Sequence, residues 1–167
     1  MTTLLRFLGL VALVYVVFAA LIWALQRRMQ YLPDGRVPRL PPGDSAGLRE
    51  VELETADGVR IGAWYAPGER PLGFLLLHGN AGHRGDRLPW IRALQRSGAS
   101  VLALDYRGYA GNEGAPTEEG LLLDAEAGAG FLADQGAGAL VYVGESLGSG
   151  VAVGLAARRP AAALVLV

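Results

Sequence analysis

The stretch LVYVGESLGSG, residues Leu140–Gly150, joins a short apolar run to a turn of small residues around Ser146. The apolar run is typical of a strand buried on both faces, and the residues after the turn have the length and composition of a helix. Between them, Gly144 and Gly148 stand two positions on either side of the serine. A sharp strand-to-helix turn crowds its flanks, so this spacing predicts a nucleophile elbow.

In such an elbow Ser146 is held in a strained conformation, with its hydroxyl exposed at the amino end of the following helix. The backbone N–H of Leu147 then faces the oxyanion that forms when the serine attacks a carbonyl carbon. The alternative interpretation is a tight turn in which Ser146 only caps the helix. Ser146 is therefore the candidate catalytic nucleophile.

Three further apolar runs resemble the run before Ser146, and segments of helical length separate all four. Upstream, two alternating segments flank a turn at Asp57 and predict an antiparallel hairpin. The predicted fold is a doubly wound, mostly parallel α/β sheet with an antiparallel N-terminal hairpin. The predicted strands are 48–55, 59–65, 74–77, 101–104, 140–143 and 163–167, and the predicted helices are 84–96, 117–134 and 147–158.

Ligands of such sheets bind at the carboxyl ends of the parallel strands, where the loop after 74–77 reads HGNAGH. A strand that ends in His-Gly can supply a second backbone N–H to the oxyanion. We expect this donor to be Asn80, with Ala81 as the alternative. His78 is expected to order the loop, and neither His78 nor His83 is expected to be the catalytic base.

The loop after the strand 101–104 begins with Asp105 and contains Arg107. An aspartate at a strand end could await a catalytic partner. We prefer a structural carboxylate that pairs with Arg107 or caps the turn. Asp105 and Arg107 are therefore predicted to order this loop.

Residues 7–25 form an uncharged apolar run that is long enough to cross the roughly 30 Å hydrocarbon core of a bilayer as a helix. Trp23 near its end and Arg27-Arg28 directly after it are typical of a membrane interface. A cleavable signal peptide is the alternative, but its apolar region is usually only about 7–15 residues long. We predict a transmembrane anchor over residues 1–28, in contact with the lipid bilayer through residues 7–25.

Residues 29–47 are rich in proline and glycine, which predicts a linker between the anchor and a domain over residues 48–167. More arginines follow the apolar run than precede it. The positive-inside rule therefore favours a cytoplasmic position for the domain. The prediction is a single-pass membrane protein.

The composition excludes several kinds of site. The chain has 167 residues and a net charge of −1, so no basic surface indicates nucleic-acid binding. All 15 cationic side chains are arginine and there is no cysteine. A lysine Schiff base, a P-loop lysine, a thiolate metal site and a cysteine nucleophile are therefore excluded within these residues. No cofactor and no metal are expected.

Three motifs together resemble the α/β-hydrolase superfamily over residues 48–167: HGNAG after a strand, DYRGY before a glycine-rich loop, and GESLGSGVA. More narrowly, they resemble the membrane-anchored serine hydrolases of the Bem46/ABHD13-like group, which includes bacterial members with one N-terminal span. This resemblance implies a protein of the bacterial inner membrane. The resemblance implies Ser146 as nucleophile, with Asn80 and Leu147 at the oxyanion positions. It also implies a small acyl or lipid-like substrate whose ester, thioester or amide bond is hydrolysed.

One departure from the family pattern bears on activity. The acid and the histidine of the triad follow the nucleophile along the chain in this fold, whereas residues 147–167 contain no Asp, Glu or His. The resemblance therefore implies that this sequence covers the N-terminal part of the fold and is C-terminally incomplete after the strand 163–167. By itself the chain is expected to be inactive.

Two other functions remain open on the sequence alone. A non-catalytic interaction protein could keep the fold without the triad. Gly144, Gly148 and Gly150 also match the GxxxGxG spacing of dinucleotide-binding reductases. That fingerprint normally follows the first strand of its fold, and no acidic residue follows here to bind a ribose.

Overall fold

The computed structural model describes residues 2–42 and 47–167. The chain divides into two compact units, one that ends at Leu32 and one that comprises Pro33–Val167. The first unit contains α1 (Thr2–Gln30), whose residues are all exposed. Its length and composition are sufficient for a helix that crosses a membrane, and the predicted apolar span 7–25 lies within it.

The second unit follows the chain order that the sequence predicts. Its elements are β1 (Arg49–Glu54), β2 (Arg60–Ala66), β3 (Leu72–Leu77), α2 (Leu88–Gln95), β4 (Ser100–Leu104), α3 (Glu118–Asp134), β5 (Ala139–Gly144), α4 (Leu147–Arg158) and β6 (Ala163–Leu166). Each strand and helix overlaps the segment predicted for it, with ends that differ by a few residues.

The strands form one six-stranded sheet in the order β1-β2-β4-β3-β5-β6. β1 and β2 pair as an antiparallel hairpin, β2 pairs antiparallel with β4, and the strands from β3 to β6 are parallel. The chain passes to one side of β3 to form β4 and returns on the other side to form β5. The loops after these three strands therefore meet at one edge of the sheet. The predicted mostly parallel sheet with an antiparallel N-terminal hairpin is confirmed.

Burial follows the position of each strand in the sheet. Every residue of β4 is buried, whereas every residue of β6 at the open edge is exposed. A central strand that is covered on both faces has a continuous apolar sequence. This is the pattern from which β3, β4 and β5 are predicted.

The helices begin where capping chemistry allows. Thr117 caps α3, because its side chain accepts a hydrogen bond from the N–H of Gly120 (3.0 Å). The predicted helix 84–96 differs, since Arg84–Arg87 form a 3₁₀ turn and the α-helix begins only at Leu88. Pro89 fits the first turn of an α-helix, where its missing N–H needs no partner, and this sets the start of α2.

The segment predicted as a linker, 29–47, is structured in part. α1 continues to Gln30. Further along, the carbonyl oxygen of Asp34 accepts a hydrogen bond from the N–H of Ala110 (2.6 Å), so this part of the segment packs against the loop after β4. Residues 43–46 of the predicted linker lie outside the described residues.

Arg107 joins three parts of the domain. Its backbone N–H and its Nε donate to the buried carboxylate of Asp124 on α3 (2.8 and 2.9 Å). Its two terminal nitrogens donate to Asp57 in the hairpin turn (2.7 and 2.9 Å). The loop after β4 is therefore tied both to α3 and to the hairpin.

We expect Asp124→Asn to lower the free energy of unfolding by about 3 kcal/mol, because it removes the buried negative partner of Arg107. Asp57→Asn serves as the matched variant. The Asp57 side chain is 41% exposed, so its loss should cost less, since water can replace it. Urea unfolding of both variants measures the difference, and equal losses would contradict the larger cost expected for the buried carboxylate.

Candidate active site

Ser146 lies in the turn between β5 and α4, with a φ of 49° and an exposed side chain. A positive φ strains a residue that carries a Cβ. The turn is held by backbone hydrogen bonds, from the N–H of Ser146 to the carbonyl of Val167 (2.7 Å) and from the N–H of Ser149 to the carbonyl of Ser146 (2.9 Å). Leu147 is the first residue of α4. The strained, exposed turn predicted from the sequence is present.

Gly144 and Gly148 leave no room for a side chain. A Cβ on Gly144 would stand 2.4 Å from the carbonyl oxygen of Gly148. A Cβ on Gly148 would stand 2.0 Å from the carbonyl oxygen of Leu77. Both distances are far inside van der Waals contact, so the close approach of α4 to β3 and β5 restricts these positions to glycine. This is the crowding from which the elbow is predicted.

The loop after β3 lies beside the elbow. A Cβ on Gly79 would stand 3.5 Å from the Cβ of Ser146. Asn80, the next residue, is held by its side chain, whose Oδ1 accepts a hydrogen bond from the hydroxyl of Tyr109 (2.8 Å). The fold therefore brings Asn80, Leu147 and Ser146 to the same edge of the sheet.

His78 is buried under this loop. Its ring centroid lies 4.5 Å from that of Tyr106 and 5.3 Å from that of Tyr109. The Nδ1 atom is 2.7 Å from the carbonyl oxygen of Gly79, so Nδ1 carries the proton and donates it. Burial lowers the pKa of His78 below its ordinary value of 6.5, against the opposing attraction of Asp105. His78 is therefore a neutral side chain that holds the loop.

Asp105 pairs with Arg84. Its fully buried carboxylate accepts hydrogen bonds from the backbone N–H of Arg84 (2.6 Å) and from the Arg84 guanidinium. The predicted pairing of Asp105 with Arg107 is wrong, because Asp57 and Asp124 occupy that guanidinium. Asp105 instead fixes the first residue of the 3₁₀ turn that follows the loop after β3.

His83 stands at the end of the same loop. Its N–H donates to Oδ2 of Asp86 (3.1 Å), and its Nδ1 lies 3.5 Å from that oxygen. Of the two histidines in the chain, His78 is hydrogen-bonded through its ring, whereas the hydrogen bond of His83 is made by its backbone N–H.

An ion pair next to Ser146 was not predicted from the sequence. The carboxylate of Glu145 accepts two hydrogen bonds from Arg87, from Nε (2.8 Å) and from Nη2 (2.9 Å). The two residues are 58 positions apart along the chain, so only the fold brings them together. The sequence does contain one indication of this pair. Glu145 is a charged residue between the small and apolar residues of the elbow, and a partly buried carboxylate needs a cationic partner.

The chemistry available at this edge is that of a hydroxyl on a strained turn at the amino end of α4, where the first backbone N–H groups of a helix have no partner within it. Such groups suit nucleophilic attack on a carbonyl and stabilisation of the resulting oxyanion. Within residues 2–42 and 47–167, no three His, Cys, Asp or Glu side chains are grouped in a way that could hold a metal ion.

Comparison with known proteins agrees with this geometry. A family model described as the α/β-hydrolase fold matches residues 74–167. The chain belongs to this family. A structure of the esterase Pf2001 from Pyrococcus furiosus superposes with a TM-score of 0.70 at 26% sequence identity, over 82% of this chain and 56% of that chain. The α/β-hydrolase fold predicted from the three motifs is confirmed.

Curated relatives place the chain more narrowly. It is 47% identical to the uncharacterized protein MT2364 of Mycobacterium tuberculosis, over 95% of this chain and 58% of that protein. It is 28% identical to protein bem46 of Schizosaccharomyces pombe (92% and 56%) and 32% identical to lysophosphatidylserine lipase ABHD12 of Gallus gallus (81% and 43%). The resemblance to Bem46-like α/β hydrolases is confirmed. The chain spans about half the length of these relatives.

We expect Gly148→Ala to lower the free energy of unfolding by about 3 kcal/mol or more, because backbone atoms of β3 occupy the space of the new Cβ. Gly150→Ala is the matched control on the same helix. A Cβ at Gly150 meets nothing within 4 Å, so this variant should gain about 0.5–1 kcal/mol from helix propensity. Denaturant unfolding compares the two, and a tolerated Gly148→Ala would contradict the close approach of α4 to β3.

The lowered pKa of His78 predicts a pH dependence of stability. The folded state binds this proton less tightly than the unfolded state, so the contribution of His78 is present above pH 6.5 and is lost as the pH falls below it. We expect the free energy of unfolding to decrease as the pH falls through this range, and to decrease less in His78→Gln. Chemical unfolding at several pH values measures both slopes, and identical slopes would refute the assignment.

Proposed function

We propose that this protein is a membrane-anchored serine hydrolase in which Ser146 is the nucleophile. The observation that carries the proposal is the strained, exposed conformation of Ser146 at the amino end of α4, with the loop after β3 beside it. Strain at a single non-glycine residue persists where surrounding contacts fix it, and it concentrates at functional sites. Membership of the α/β-hydrolase family supports the same role.

In the proposed reaction, Oγ of Ser146 attacks the carbonyl carbon of an acyl substrate while a general base takes its proton. The backbone N–H groups of Leu147 and Asn80 stabilise the oxyanion of the tetrahedral intermediate. Collapse of the intermediate breaks the bond to the leaving group, which takes up the proton, and leaves the acyl group on Ser146. Water then attacks the acyl-enzyme, which releases the acid and regenerates the serine.

We infer that neither histidine of these 167 residues is the base. His78 is buried and donates its Nδ1 proton to the carbonyl of Gly79. His83 lies in the loop after β3, far ahead of Ser146 along the chain, whereas the histidine of the triad follows the nucleophile in this fold. No other residue type in the chain is a customary base for a serine in this fold. The histidine and acid of the triad are therefore proposed to lie outside these 167 residues.

The proposed substrate is a small acyl or lipid-like ester, with thioesters and amides in the same reaction class. Two comparisons support this class: the esterase Pf2001 among the similar structures and the lysophosphatidylserine lipase ABHD12 among the relatives. α1 supports anchoring in a membrane by its length and composition. We propose residues 1–28 as the anchor and, from the arginines that follow it, a cytoplasmic domain at the bacterial inner membrane.

The dinucleotide-binding alternative does not fit the topology. The glycines of that fingerprint follow the first strand of a βαβ unit and open the helix on which a pyrophosphate sits. Here β3 and β4 precede β5 in the parallel part of the sheet. A non-catalytic interaction protein remains the competing function, and it differs from a hydrolase in whether Ser146 reacts.

We expect a fluorophosphonate probe to label the full-length protein at Ser146 and to leave Ser146→Ala unlabelled. Ser149→Ala is the matched control, since Ser149 lies three positions on and its hydroxyl donates to the carbonyl of Gly144 (2.9 Å). This variant should be labelled like the wild type. The 167-residue chain alone should react far more slowly, because it lacks a base beside Ser146. Absence of labelling in the full-length protein would favour the non-catalytic function.

A further inference from the structure

Glu145 binds the loop after β3 at both of its ends. At the near end, the backbone N–H of Glu145 donates to the carbonyl oxygen of Leu77, the last residue of β3 (3.0 Å). At the far end, its carboxylate accepts two hydrogen bonds from Arg87, in the 3₁₀ turn that follows the loop (2.8 and 2.9 Å). Glu145, which directly precedes Ser146, thus contacts both residues that flank the segment 78–86. This segment includes Asn80.

Glu145 is itself fixed to the elbow. Its carbonyl oxygen accepts a hydrogen bond from the N–H of Gly148 (2.7 Å), in the first turn of α4. It also lies 3.4 Å from the position of a Cβ on Gly79. The backbone N–H, the carbonyl and the carboxylate of Glu145 therefore all form hydrogen bonds. Each of these contacts joins the elbow either to α4 or to the loop after β3 and the turn that follows it.

The Arg87–Glu145 pair differs from an ordinary surface ion pair. The Arg87 side chain is 11% exposed and that of Glu145 is 32% exposed. Both carboxylate oxygens are used, in a fork geometry that fixes orientation as well as distance. Another Arg–Glu pair, between Arg158 on α4 and Glu119 on α3, also uses both carboxylate oxygens. Its side chains are 39% and 64% exposed, and it lies away from the elbow. Water screens such an exposed pair, so it contributes little to the position of either residue.

We propose that Arg87 and Glu145 are positioning residues that hold the oxyanion loop at a fixed distance from Ser146. This positioning role rests on the proposed function, in which the loop after β3 supplies one of the two oxyanion donors. The two N–H donors belong to different segments, Leu147 to α4 and Asn80 to the loop after β3. Oxyanion stabilisation depends on donors that are in place before the reaction, and the ion pair fixes one segment to the other.

Graded substitutions test the pair through the reactivity of Ser146 in the full-length protein. Glu145→Gln and Arg87→Gln should each lower the maximal rate of inactivation by a fluorophosphonate about tenfold, because displaced donors stabilise the transition state less well. The probe concentration at half-maximal rate should change by less than about twofold, since the pair does not contact the probe. Arg87→Lys, which keeps the charge but not the fork, should lie between wild type and Arg87→Gln. Glu119→Gln should behave as wild type.

Backbone amide hydrogen exchange supplies a readout that needs no activity. The N–H of Arg84 donates to Asp105 (2.6 Å) and the N–H of Asp86 donates to the carbonyl of His83 (3.0 Å), so both amides are protected. Both should exchange at least about tenfold faster in Glu145→Gln, while Glu119→Gln leaves them unchanged.

The outcomes separate the two proposals. Wild-type inactivation rates in Glu145→Gln and Arg87→Gln would overturn the positioning role while leaving Ser146 as the nucleophile. Absence of labelling in every protein, wild type included, would overturn the proposed function. The exchange rates at Arg84 and Asp86 then still decide whether the pair holds the loop, and unchanged rates would refute it. If Glu145→Gln fails to fold, the milder Arg87→Lys gives the same two measurements.

Discussion

The close approach of α4 to the end of β3 is the constraint on which the rest of the site depends. Gly148 lies against the carbonyl oxygen of Leu77, and Gly144 lies against the backbone of the first turn of α4. With no side chain between them, the helix begins directly beyond β5, and the partial positive charge of its amino end lies at the carboxyl edge of the sheet. The chain must then turn through a positive φ at Ser146, at a cost of about 1–3 kcal/mol. The strain at the serine is thus a consequence of packing, and the hydrogen bonds of the turn retain it.

The loops around the elbow are held by buried carboxylates that are each paired with an arginine. Asp105 with Arg84 fixes the exit of the loop after β3, and Asp124 with Arg107 fixes the loop after β4. An isolated buried charge would be too costly to retain, so each carboxylate needs a partner that satisfies its lone pairs. In both pairs the backbone N–H of the arginine binds one carboxylate oxygen and its guanidinium binds the other, so the pairs set orientation as well as distance. The result is a rigid scaffold on which the elbow stands.

The sequence predicts well whatever is encoded by residues close together in the chain. The strands of the sheet, the hairpin and the glycines of the elbow all follow from local spacing and steric rules. The partners of charged side chains do not, since Asp105 has arginines at several sequence distances and only the fold decides that Arg84 is the near one. The Arg87–Glu145 pair was missed for the same reason. The contact of Asp34 with Ala110 was hidden by a proline-rich composition that is typical of linkers.

Neither histidine of the chain is assigned a role in proton transfer. The ring of His78 holds the loop after β3 through the carbonyl of Gly79, and the backbone N–H of His83 donates to Asp86 at the end of that loop. In the proposed mechanism, this part of the protein therefore supplies the nucleophile and the electrostatic stabilisation, while proton transfer belongs to other residues. The two tasks are energetically separable, because serine hydrolases without triad members retain about 10³–10⁴-fold catalysis over water through the oxyanion hole and binding. In the proposed mechanism, the elbow and the loop after β3 therefore contribute to the rate in addition to the base, which must lie within hydrogen-bonding reach of Ser146.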